Sequence, residues 1–309
     1  MKFTIHQGSR QGPRSYNQDR QAYSYSKDAL LLVIADGMGG HRHGEVAAQL
    51  AVKNITDAFQ RMATPGLGDP AQFLKEHIQQ IHDAIGHLTL DQGLLEAPRT
   101  TIVAAVLQDD GLYCAHVGDS RLYHFRNGRL LFRTEDHSIV QMLYRRGELE
   151  EQAMLEHPAR HKIYNCLGAD HPPKIDLTHK HVLRDGDTLL LCTDGLWSIF
   201  SDEEMSAILH AGPVNESVPT LLDMAESLCE AQGDNMSAIG VQWGNRYEDN
   251  LLAISTMTMP LGTTTTIVNP MTQQPTLRDD HAQVIADLTD GEIEQAITEI
   301  QTAIRKTQR

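Results

Sequence analysis

An α+β fold is predicted for this chain by three observations. Apolar runs rich in Val, Ile, Leu and Tyr recur as strand candidates at residues 30–35, 101–108, 112–117, 121–126, 130–133, 188–193 and 238–243. Most of these runs are sequential neighbours, and Asn127-Gly128 between two of them tolerates the positive φ angles of a type I′ hairpin turn. The expected pairing is therefore antiparallel. Helical periodicity fills much of the rest: Ala47, Ala51, Ile55 and Phe59 repeat every four residues, and residues 70–89, 137–146, 202–210 and 217–231 also suit helices. Hairpin-linked strands with long helices between them favour α+β layering over a doubly wound parallel sheet.

Composition narrows the function. The 309 residues carry 26 Lys and Arg against 41 Asp and Glu, a formal net charge of −15, which phosphate backbones and anionic lipid repel. Neither nucleic acid nor a membrane surface is an expected partner. The longest obvious apolar run, residues 29–35, has the length of a buried strand and falls far short of the roughly 18 residues of a membrane span. No basic region followed by an apolar block opens the chain, so a cytoplasmic protein is expected. Cys114, Cys166, Cys192 and Cys229 are too dispersed for a disulfide scaffold or a zinc site and read as small buried hydrophobes.

The chain divides into a catalytic-size domain over residues 1–244, a Thr/Pro/Met-rich segment over 245–278 and a C-terminal piece over 279–309. The middle segment includes the run Thr263 to Thr266 and has too little clustered apolar surface to offset ordering entropy, so a flexible linker is expected. Beyond it, Thr289 and Glu292 match a capping box, and Ile293, Ala296, Ile297, Ile300 and Ile304 share one helical face. A helix this short cannot bury its own stripe. It is expected to dock on its own domain, a second copy or a partner.

Four carboxylate-bearing turns stand beside strands: Asn17-Gln18-Asp19, Asp36-Gly37-Met38-Gly39-Gly40-His41, Thr193-Asp194-Gly195 and Asp234-Asn235. A single Asp-Gly is most often just a turn. Two of these turns follow nearly continuous apolar runs, Leu32-Val33-Ile34-Ala35 and Leu189-Leu190-Leu191-Cys192, the mark of central buried strands. An aspartate at the end of such a strand costs several kcal/mol unless positive charge compensates it. Several carboxylates without clustered Cys select a hard, oxygen-preferring cation, Mg²⁺ or Mn²⁺, over zinc. Two such ions about 3.5–4 Å apart activate a water and clamp a phosphoryl group for in-line attack.

The order and spelling of these motifs resemble the metal-dependent Ser/Thr protein phosphatases of type 2C in their bacterial form. The matching pieces are Arg14 to Asp19, Ala35 to His41 with Gly44-Glu45, Thr100-Thr101, Val117-Gly118-Asp119-Ser120-Arg121, Thr134 with Asp136-His137-Ser138, Leu167-Gly168, Gly186-Asp187 leading to Thr193-Asp194-Gly195-Leu196, and Asp234-Asn235-Met236-Ser237. They run in family order from the N-terminus to about residue 244. The resemblance implies a central sandwich of two antiparallel sheets flanked by helices, four layers in the order αββα, and hydrolysis of phosphoserine and phosphothreonine in proteins. It also implies a cognate Ser/Thr kinase whose action this chain reverses.

Carried over residue by residue, the resemblance has Asp36 bridging two Mn²⁺ or Mg²⁺ ions and Gly37 ligating one through its carbonyl. Asp194 and Asp234 hold the first ion, and Asp19 supports the second, largely through water. Asp119 corresponds to the position at which bacterial members recruit a third, weaker ion. Arg14 is the clamp on substrate phosphate, suited to that work by its guanidinium fork. His41 is the candidate general acid for the leaving alkoxide, with ordering of water as its alternative role. Asp119 pairing with Arg121 is the corresponding alternative for that residue. Gln18 stands where the family usually has Glu, and His161 where Asn is frequent. Residues 147–163 resemble the family's variable flap beside the site.

Rival chemistries fit less well. Cysteine-based phosphatase chemistry needs a thiolate six positions before an Arg, but Cys114 and Arg121 are seven apart. No Gly-x-Ser-x-Gly follows a strand, and Asp185 and Asp187 precede their strand where an aspartyl-phosphate enzyme would want them after it. A phosphoprotein-binding module without turnover would lack a metal carboxylate, and all are present. An assembly component built around the C-terminal segment is a third reading, which deletion after Gly244 discriminates.

Overall fold

The computed structural model describes residues 1–38, 43–154, 156–178, 180–229, 231, 233–244 and 252–268. Two antiparallel sheets pack face to face with helices outside. The first sheet runs β12 (Ile254–Ser255), β1 (Lys2–Arg10), β11 (Met236–Trp243), β10 (Thr188–Cys192), β6 (Arg121–Arg126) and β7 (Arg129–Arg133). The second runs β13 (Thr265–Val268), β2 (Asp19–Tyr25), β3 (Ala29–Asp36), β4 (Ile102–Gln108), β5 (Gly111–Val117) and β8 (Asp176–Leu177), with β9 (His181–Val182) also on β5. The α+β expectation and its four layers hold.

The continuous apolar spelling of β3 follows from burial on both faces. Leu30, Leu32 and Ile34 face the core between the sheets with Leu189, Leu191, Ile239 and Val241. Leu31, Val33 and Ala35 face the other way, onto α1 (Gly44–Met62) and α2 (Pro70–Asp91). On the far side, Leu190 and Cys192 of β10 pack under α6 (Asp202–Ala211) and α7 (Val214–Leu228). The starts of α2 and α6 have local causes. Asp69 accepts the Ala71 and Gln72 N–H groups ahead of Pro70, and Ser201 with Glu204 closes a reciprocal capping box. Asn127 and Gly128 take φ values of 50° and 70°, as the hairpin turn between β6 and β7 requires.

Two departures matter. β1 and β2 escape the apolar-run reading, because β1 is mostly half-buried and β2 buries Arg20, Gln21 and Ser24. The segment read as linker supplies β12 and β13, which extend the sheets beyond β1 and β2 through main-chain pairing that needs no apolar cluster. Thr256, fully buried, fastens the start of this strap: its hydroxyl accepts the Met1 ammonium at 2.9 Å and donates to the Lys27 carbonyl at 2.6 Å. His41, the remainder of the linker and the C-terminal amphipathic segment lie outside the described residues. Among the described residues no helix is long and apolar enough to cross a membrane.

Thr256→Val keeps the volume but leaves the Met1 ammonium and the Lys27 carbonyl without their partner. Urea titration should show a loss of about 1–3 kcal/mol; an unchanged midpoint would show that the strap contributes nothing to stability.

Candidate functional site

Strand ends from both sheets deliver five aspartates to one end of the sandwich. Asp19 opens β2 and is the register partner of Asp36, the last residue of β3. Asp194 sits at the first position of the single-turn helix α5 (Asp194–Trp197), two residues after β10, and Asp234 lies two residues before β11. Asp119 occupies the turn between β5 and β6. Thr193 ties the sheets together there: its hydroxyl donates to Asp19 Oδ2 at 2.9 Å and accepts the Ser237 N–H at 3.0 Å.

The main chain around Asp36 is fixed from all sides. Thr101 donates its N–H to the Asp36 carbonyl at 2.9 Å, Thr100 adds its hydroxyl at 2.8 Å, and the Asp36 N–H goes to Thr101 Oγ1 at 3.1 Å. Gly37 donates to the Gln18 carbonyl at 3.3 Å, and a Cβ on Gly37 would lie 2.5 Å from the Gly44 main chain. Only glycine lets α1 start this close to the turn. Gly195 is equally constrained, since a Cβ there would lie 2.1 Å from the Asn235 carbonyl.

The Asp19, Asp36, Asp119 and Asp194 carboxylates are buried together, and their pKa values report it. Burial, then the charges of Asp19, Asp194, Asp119 and Asp234, hold the Asp36 carboxyl well above the usual carboxylate range. Asp194 is raised in the same way by burial and by Asp119, Asp234 and Asp19. Burial pushes Asp19 up to about 6 against the hydrogen bonds from Ser237 and Thr193, and burial with the Asp136 charge pushes Asp119 up to about 7. Asp19 Oδ1 and Asp194 Oδ1 are buried without a hydrogen-bond partner. Oxygens of this kind, in a set of mutually repelling carboxylates, suit a hard multivalent cation.

Arg14 lies at the rim, half-exposed, with Nη2 2.7 Å from Asp234 Oδ2 and Nε 3.0 Å from the Gly233 carbonyl. The alternative pairing of Asp119 with Arg121 does not form its carboxylate bonds, because Arg121 gives a bidentate fork to Asp136, both bonds at 2.8 Å. The reading of the sequence named Thr193 and His161 without giving either a contact and passed over Trp197. Thr193 and Trp197 act through contacts that no spacing predicts, and His161 of the flap reaches 4.0 Å from Asp194 Oδ2. Gln18 donates to Glu45 Oε2 at 3.1 Å.

A second cluster, His116, His137 and Asp176, offers ligand atoms within 4.8 Å of one another. Its protons rule against a cation. The Gly118 N–H and the Asn165 amide both donate to His137 Nδ1, at 3.1 and 2.7 Å, and Asn165 is oriented by bonds to both main-chain groups of Lys174. The His137 proton therefore sits on Nε2, 3.2 Å from Asp176 Oδ2, and leaves no lone pair free on that ring.

With this geometry established, likeness to known proteins is specific. The protein phosphatase 2C profile matches residues 8–235, and the chain belongs to that family. A serine/threonine phosphatase of Listeria welshimeri is 34% identical over 200 residues, 64% of this chain and 79% of the relative. The crystal structure of the Mycobacterium tuberculosis serine/threonine phosphatase PstP/Ppp superposes with a TM-score of 0.70 at 32% identity, covering 79% of this chain and all of that one. A PstP catalytic domain solved with two manganese ions superposes at 0.65 with 30% identity, over 78% of this chain and 98% of that one.

The raised pKa values of Asp19 and Asp119 fix the sign of a pH effect. Folded Asp19 and Asp119 hold protons that the unfolded chain has released, so metal-free stability is full below about pH 4 and is lost as pH rises through about 6 to 7. Thermal melts in chelator should fall by on the order of 5 °C from pH 5 to pH 8, and Asp119→Asn should flatten that fall. A melting temperature that rises over this interval would contradict the assigned burial.

Proposed function

We propose that this chain hydrolyses phosphoserine and phosphothreonine in proteins, with two divalent cations, Mn²⁺ or Mg²⁺, held at the carboxylate end of the sandwich. The observation that carries the reading is the convergence of buried, mutually repelling aspartates from both sheets beside a rim arginine. Asp36, the Gly37 carbonyl, Asp194 and Asp234, supported by Asp19, are the groups that hold the ions, and Asp119 holds a third, weaker one. Bound there, the ions supply Lewis-acid activation of water and neutralise charge on the phosphoryl oxygens. The manganese pair in the PstP structure supports the choice of metal.

The chain's own residues set the substrate. Arg14 exchanges its bonds to Asp234 and Gly233 for the oxygens of an incoming phosphate, and its exposed fork favours a phosphomonoester on a protruding side chain. His41 gives a proton to the seryl or threonyl oxygen as the P–O bond breaks. Water adds to phosphorus, the alcohol leaves, and inorganic phosphate is the second product. The opposing activity is a Ser/Thr kinase in the same compartment, which is the cytoplasm on this reading. The C-terminal segment docks on its own domain, a second copy or a partner.

Asp194→Asn should reduce turnover of a phosphothreonine peptide in Mn²⁺ by more than about a hundredfold while circular dichroism stays unchanged; full activity would refute the assignment and favour neither ion site. His41→Ala should slow the peptide by roughly a hundredfold and p-nitrophenyl phosphate much less, since nitrophenolate leaves without a proton. Equal losses on the two substrates would remove the acid role.

A further inference from the structure

The aspartate proposed for the weakest ion, Asp119, is held by a contact that none of the above uses. The Trp197 indole N–H donates to the Asp119 main-chain carbonyl at 2.9 Å. Trp197 closes the same helical turn that Asp194 opens, and the Leu196 and Ser198 N–H groups, bonded to the Thr193 and Asp194 carbonyls at 3.1 and 3.0 Å, keep that turn rigid. The indole is itself fixed. The Arg121 guanidinium lies 3.5 Å from its ring centroid, in cation–π contact, and is immobilised by the bidentate bond to Asp136 and a 3.0 Å bond to the Tyr123 hydroxyl.

We propose that Trp197 is a positioning residue: supported by Arg121, its indole N–H fixes the Asp119 turn relative to α5, which Asp194 opens, and so sets the affinity of the weak ion assigned to Asp119. This rests on the reading of Asp119 as an ion-binding residue. One observation supports it independently of that contact. The turn is pinned on its other side by a 2.8 Å bond between the Ser120 and Thr101 hydroxyls, and Thr101 also takes the Asp36 N–H. Asp119 is thereby tied to Asp36 through Thr101 and to Asp194 through Trp197. Losing the second tie alone frees the turn relative to α5 while leaving the Asp36 side in place.

The test is Mn²⁺ binding, followed by the electron paramagnetic resonance signal of the free ion, for the full chain and for Trp197→Phe, Asp119→Asn and the double variant. Phe keeps an aromatic ring over Arg121 and removes the N–H. The expected result is two tighter ions and one weaker in the unmodified chain, with the weakest affinity reduced about tenfold in Trp197→Phe and the tighter two unchanged. In the Asp119→Asn background the Phe substitution should add nothing, because both act on one ion. The proposal is overturned if the weakest affinity does not move, if all affinities fall together as in a general loosening, or if the two losses add. If the unmodified chain shows no weaker ion, the reading of Asp119 fails first and the role of Trp197 falls with it. Should Trp197→Phe fail to fold, benzothienylalanine at position 197, which has the indole's shape without its N–H, carries the same expectations.

Discussion

Repulsion between buried carboxylates is the constraint around which this end of the molecule is built. Asp19, Asp36, Asp119 and Asp194 share one low-dielectric region, and left alone each of these four would hold its proton or unfold its surroundings. Neutral hydroxyls do much of the holding, while Arg14 pairs with Asp234 at the rim. Thr193, Thr100, Thr101 and Ser120, all buried, satisfy main-chain and carboxylate groups without cancelling the charge. An arginine in their place would neutralise the cluster and abolish its affinity for cations. The buried Arg121 guanidinium gives its fork to Asp136 instead.

The sandwich is what makes this arrangement reachable. Asp19 and Asp36 are neighbours across one sheet, Asp194 and Asp234 flank adjacent strands of the other, and the two pairs meet only because the sheets stack. Stacking in turn depends on the large aliphatic faces of β3, β10 and β11, which fill the space between the sheets. Core packing and site geometry are therefore one problem: a sheet that slipped against its partner would separate Thr193 from Asp19.

The central strands were legible in the sequence because burial on both faces forces apolar continuity, as in residues 30–35 and 188–192. β1 and β2 were not. Their polar residues are buried by hydrogen bonds that only the tertiary structure supplies, such as Arg20 to Gln49 and to the Asn17 carbonyl. β12 and β13 were hidden for a related reason: edge pairing is stabilised by main-chain groups common to every residue, so a Thr-rich composition carries no signal for it. The aspartates themselves were readable as carboxylates at the ends of buried strands. Thr193, Trp197 and His161 were not, since each contributes a single atom brought in from a distant part of the chain.

Gln18 shows how a local departure is absorbed. A carboxylate at position 18 would place a second negative charge against Glu45, which is itself only 8% exposed. The amide instead donates to Glu45 Oε2, while the main-chain carbonyl of the same residue anchors Gly37 and its N–H goes to Asn235 Oδ1 at 2.9 Å. One residue thus links β2, the Gly37 turn, the start of α1 and the Asp234-Asn235 turn. Gln18 thus removes one negative charge from this end and leaves Glu45 as the carboxylate that its amide satisfies.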